Sequence, residues 1–218
     1  YDTLRNYACR KGDRIGRANV YLSVDKNRMK LDDAYRNKVT RFSDGLRDFQ
    51  YKVLERPLLS YINKETNQRF NSTTVDVDMA VHIMQHAPNL DKIVILTNNM
   101  GYISVIQAAQ NAGCRVELIW FDNVPNSLKK EADINISGYL IPGLLPIENN
   151  TKWGEVGSKV RGICYDYNHA EGYGFMRYIK EVNHHMWVSD SRDNDSPYQT
   201  VFAHVSQFER DFKMNFLP

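Results

Sequence analysis

The feature that most constrains this chain of 218 residues is an alternation that stops partway. Short β-rich runs occur at ANVYLSV (18–24), YKVLER (51–56), KIVILT (92–97) and CRVELIWF (114–121). Longer helical patterns fill the spaces between and after them, over 31–49, 75–87, 101–113 and 125–133, the third stopping on Gly113. Strands joined by helices cannot be hairpins, so this pattern predicts an α/β fold with a parallel sheet and helices on both faces. Any site is then expected at the carboxyl ends of the strands. After IPGLLPIENNTKWGEVG (141–157) the texture changes, and 160–168, 172–182 and 198–206 are β-rich with no helical pattern between them. A small antiparallel β unit is expected there. The predicted division is an α/β domain over 1–140, a linker over 141–156 and a β domain over 157–218. The polar, acidic stretch 184–197 reads as a solvent-exposed connection.

Composition narrows the function classes. With 42% hydrophobic and 25% charged residues the chain is too apolar to remain unfolded. No run of 18 apolar residues exists, so no membrane partner is expected. Cys9, Cys114 and Cys164 lie far apart without metal-ligand spacing, which argues against a disulfide framework and for a cytoplasmic location. Charge is unevenly spread: residues 1–74 carry a net +7 and residues 75–218 a net −5. A basic segment favours a polyanionic partner, although a solvated face is the commoner explanation.

In the second unit Tyr165 and Tyr167, Tyr173 and Phe175, and Phe202 and His204 stand two apart, a spacing that puts each pair on one strand face. Gly172 and Gly174 interleave with Tyr173 and Phe175, clearing the other face and letting flat bases approach. GICYDYNHAEGYGFM (162–176), followed by VFAHVS (201–206), resembles the cold-shock domain, an OB-type fold. The resemblance implies binding of single-stranded RNA or DNA by base stacking, through Tyr167, Tyr173, Phe175, Phe202 and His204. Asp166 and Glu171 depart from the family pattern by placing negative charge where phosphates pass. The family would also carry two further strands beyond Pro218, so the expectation is either a barrel completed by residues outside this sequence or an open sheet edge able to pair with a protein partner.

In the first unit FSDGLRDFQYKVLERPL, VDVDMAVHIM, KIVILTNNMGYISVIQAAQNAGCRVELIWF and SLKKEAD follow one another in the order of the NYN domain, of the PIN-like ribonuclease superfamily. That resemblance implies hydrolysis of RNA by water activated on Mg²⁺ or Mn²⁺. Asp76 is the implied metal ligand and Asp133 the second acid. The family's two loop aspartates stand here as Asn99 and Gly101, and its acid-bearing first strand would precede Tyr1. The expected protein is therefore RNA-associated, with a degenerate nuclease site at Asp76, Asn99 and Asp133 and no metal once that site has decayed. The alternatives are an active Mg/Mn-dependent ribonuclease and a protein-binding subunit of a larger assembly.

Overall fold

A computed structural model describes residues 1–10, 12–62, 65 and 69–207, so the expected domain end at 208–218 lies outside the described residues. The chain opens with helix α1 (Asp2–Ala8) and strand β1 (Asn19–Val24). Where one helix was expected over 31–49 there are two, α2 (Lys26–Leu31) and α3 (Asp33–Asp48). Asp32 separates them: its extended backbone ends α2, and its carboxylate accepts the Tyr35 N–H at 2.8 Å to cap α3. Strand β2 (Lys52–Pro57) pairs in parallel with β1. An antiparallel hairpin that the periodicity did not reveal follows, β3 (Leu59–Ile62) with β4 (Arg69–Ser72).

Helix α4 (Val75–His86), β5 (Lys92–Leu96), α5 (Tyr102–Asn111), β6 (Arg115–Trp120), α6 (Asn126–Glu131) and β7 (Ile134–Ser137) then alternate. Strands β5, β6 and β7 form a parallel sheet with β6 in the middle. Among the described residues the parallel strands form two separate hydrogen-bonded sheets, β1–β2 and β5–β6–β7.

Strand β6 is buried on both sides, and its two faces define two cores. Val116 and Leu118 pack with Ile95 of β5 and with Ile83, Ile106 and Leu128 from the three helices α4, α5 and α6. Ile119 points the other way and joins Ile134, Ile136 and Tyr7 of α1. Glu117 shares that second face. It is 1% exposed, and its carboxylate is met by the guanidinium of Arg10, Nη1 lying 2.9 Å from Oε2 with a second contact from Nη2 to Oε1. Two charges removed from water together are tolerable only when paired in this way.

The C-terminal strands β8 (Ile163–Asn168), β9 (Tyr173–Ile179) and β10 (Tyr198–His204) form a separate antiparallel sheet in the order β10–β9–β8. It does not stand apart from the α/β unit. Ile179 and Met186 are buried in the same core as Ile119 and Ile136, so this unit covers the second face of the parallel sheet. The expected linker is pinned as well: Ile141 is 1% exposed, and the Trp153 indole N–H donates to the Ile179 carbonyl at 2.8 Å. Nor is 184–197 a purely solvated connection, because Met186 and Pro197 are buried, Met186 in the core with Ile119 and Ile136 of the parallel sheet. No helix among the described residues is long and apolar enough to cross a membrane.

Candidate functional site

The carboxyl edge of the parallel sheet gathers the loop after β5, the end of β6 and the first turn of α4. Asp76 is exposed in that first turn. Tyr102, the first residue of α5, is 2% exposed, and its hydroxyl lies 3.1 Å from both the Asp76 carbonyl and Oδ1. Burial, then the Asp76 charge, push the Tyr102 phenol pKa upward, so it stays protonated and donates to Asp76. Asn99 turns inward on its own loop: Oδ1 accepts the Gly101 N–H at 2.8 Å, and its carbonyl accepts the Tyr102 N–H at 3.2 Å. Asp76 and Asn99 thus both bond to Tyr102, the first at its hydroxyl and the second at its backbone N–H.

The other acids are also engaged. Asp78, read as a helix-dipole residue, holds Arg56 in a two-pronged pair at 2.7 and 3.1 Å. Asp122 stands two residues past the end of β6 and accepts the Tyr139 hydroxyl at 2.7 Å. Periodicity does not single out Asp122, although an acid just past the buried β6 run is a signal for this edge. Asp133 lies elsewhere. It precedes β7, and its Oδ2 accepts the Val116 N–H near the start of β6 at 2.7 Å, which puts it at the amino end of the sheet and away from Asp76. Among the described residues no three His, Cys, Asp or Glu side chains converge in a way that could hold a metal ion. The residues present do not fit a divalent cation, because Asn99 and Gly101 bring no charge and each acid already has a protein partner.

The Arg56 hydrogen bonds hold the Asp78 carboxyl below the usual carboxylate range. A depressed folded value means that the pair's contribution is fully present above the unfolded pKa, roughly 4, and is lost as pH falls through the folded value. In an acid titration followed by circular dichroism, Arg56→Gln is therefore expected to lose less stability below pH ~4 than the unsubstituted chain.

The C-terminal sheet carries a second candidate surface. Tyr173, Phe175 and Phe202 form a contiguous ring cluster, with centroids 5.6 to 6.2 Å apart. Phe202 is 55% exposed. His204 pairs with Tyr173 in register and lies on the same face. Tyr167 does not. It pairs with Gly174, where an added Cβ would lie 2.7 Å from the Tyr167 ring, so the missing side chain of Gly174 makes room for Tyr167 on the opposite face. The cause is a bulge between Cys164 and Asp166, which breaks the period of two. Tyr165, 42% exposed and 6.5 Å from Phe175, joins the cluster instead. The Arg177 guanidinium sits 4.7 Å from the Tyr165 ring centre, and exposed Asp166 pairs with Phe175 on this face.

A parallel sheet packed against helices, with acids and an asparagine loop collected at its carboxyl edge, defines an α/β unit whose candidate site lies at the strand ends. The chain belongs to the NYN domain family, which it matches over residues 1–140. That family is a PIN-like nuclease family, and its enzymes are generally dependent on divalent metals. Among solved structures, a protein of unknown function from Vibrio parahaemolyticus RIMD 2210633 is similar at 16% identity, over 57% of this chain and 69% of that one, with a TM-score of 0.44. Comparison with curated proteins gives no match.

Proposed function

We propose that this NYN protein is an RNA-associated protein that binds single strands and has lost metal-dependent cleavage. In this reading residues 157–218 are a cold-shock-like module, joined through 141–156 to the nuclease-type domain over 1–140, and the protein works in the cytoplasm. The observation that carries the reading is the ring cluster of Tyr165, Tyr173, Phe175 and Phe202 on one sheet face. Rings left half in water on a strand face suit bases, which stack without regard to sequence. Filter binding of labelled oligouridylate at fixed salt tests it, and absence of any binding overturns it.

A second reading, an active Mg/Mn ribonuclease, is favoured by one observation: Asp76 and Asp122 both lie at the carboxyl edge. Against it stands the capture of both carboxylates by tyrosine hydroxyls. Cation-activated hydrolysis needs several anionic oxygens around the ion, and Mg²⁺ gives up its waters reluctantly. Isothermal titration with Mn²⁺ is expected to show negligible binding by the unsubstituted chain. Asn99→Asp, Gly101→Asp and Tyr102→Phe combined are expected to raise the affinity, because they add two charges and release Asp76. Mn²⁺-dependent RNA cleavage by the unsubstituted chain that disappears in Asp76→Ala would establish the ribonuclease.

A further inference from the structure

Between the outer edge of β7 and the lower end of the C-terminal sheet lies a cleft of about 320 Å³. Its floor is apolar, formed by Ile134, Ile136 and Met186; at its mouth stand Asn135, Arg177 and Trp187, the last 55% exposed. This is continuous with the ring cluster. Period two along β9 puts Phe175, Arg177 and Ile179 on one face, so the same surface runs from exposed rings, through Arg177, to the core.

The charges of the cleft suit a polyanion. Arg177 lies 4.7 Å from the Tyr165 ring centre and 5.7 Å from that of Tyr198; it makes no direct ion pair among the described residues, though Asp190 lies within its field. Arg115 stacks on Trp187 at 5.8 Å, and Lys129 on Trp120 at 3.5 Å. The one acid in the lining, Asp133, is occupied by the Val116 N–H. Strand β7 pairs only with β6 among the described residues, which leaves backbone donors and acceptors along its outer edge. An apolar floor with a few convergent polar groups and a volume of this size is the usual form of a small-molecule pocket.

We infer that the cleft takes one nucleotide of a single strand whose neighbouring bases stack on the ring cluster. The base lies against Trp187, its phosphate meets Arg177, and its edge faces the β7 backbone and the amide NH₂ of Asn135, whose Oδ1 already accepts the Trp120 indole N–H at 3.2 Å. This rests on the single-strand-binding reading above and assigns it a second, adjoining site.

Fluorescence anisotropy of the full chain with labelled oligouridylates of about four and about eight nucleotides tests it, the shorter one being long enough for the ring cluster alone. Trp187→Ala is expected to weaken the longer oligonucleotide about tenfold and leave the shorter one unchanged, and Trp187→Phe, which keeps a stacking ring, to bind both normally. If Trp187→Ala binds both lengths as well as the unsubstituted chain does, while Phe202→Ala weakens both, the cleft is not a nucleotide site and the single-strand reading stands. Equal weakening of both lengths by Trp187→Ala also overturns the inference, since the residue then acts through the sheet. If neither oligonucleotide binds the unsubstituted chain, both readings fall together.

Discussion

Replacing Tyr173 and Phe202 together by Ala is expected to lower single-stranded RNA affinity by at least about 30-fold, with the parallel sheet still folded. Each stacked base is worth roughly 1–3 kcal/mol by alanine substitution, so two platforms give a loss of about 2–6 kcal/mol, and each 1.4 kcal/mol is about tenfold. The two rings lie 5.6 Å apart at the end of the sheet remote from the shared core, which limits the structural damage. Tyr167→Ala is the matching control. Its ring packs over Gly174 on the opposite face, so its removal is expected to leave RNA affinity nearly unchanged. Anisotropy titrations at one salt concentration, with far-ultraviolet circular dichroism on each variant, make the comparison. Equal losses in Tyr167→Ala and the double variant would show that the ring cluster is not the binding surface.

The second large effect concerns stability. Glu117→Ala leaves Arg10, 8% exposed, without its partner, and breaking a buried pair from one side costs about 3–5 kcal/mol. Since domains are held by only about 5–15 kcal/mol, this is a severe loss, and for a chain of this size it lowers Tm by about 6–20 °C. Replacing both partners with apolar residues, Arg10→Met with Glu117→Leu, is expected to restore most of it, because no uncompensated charge then stays buried. Calorimetry on the single and double variants checks the ordering; a single variant as stable as the unsubstituted chain would show that the pair is solvated.

The alternating first unit is legible because the central strand writes its burial into its residues: CRVELIWF is apolar at six of its eight positions, and β6 is buried on both faces. The break at Asp32 was hidden, since one carboxylate capping a helix leaves the apolar spacing on either side intact. Asp133 was assigned to the wrong end of the sheet because β7 has only four residues and was not recognised, so the acid before it had no edge to belong to. The shared strand face of Tyr173, Phe175, Phe202 and His204 is legible in the sequence, because pairing there is regular. It failed at Tyr167 because a bulge is a property of two strands together, invisible in either alone. Arg10 and Glu117 are 107 positions apart, and only the closed fold brings such partners into contact.

Modules on a slack tether sample many separations, and their joint binding is a matter of effective concentration. Here Ile179 and Met186 lie in one core with Ile119 and Ile136, which replaces the tether with packed side chains. The ring face and the carboxyl edge of the parallel sheet are consequently held at a set offset. Under the single-strand-binding proposal, a strand that touched both surfaces would be gauged for length as well as chemistry, and the molecule would act on it as a ruler.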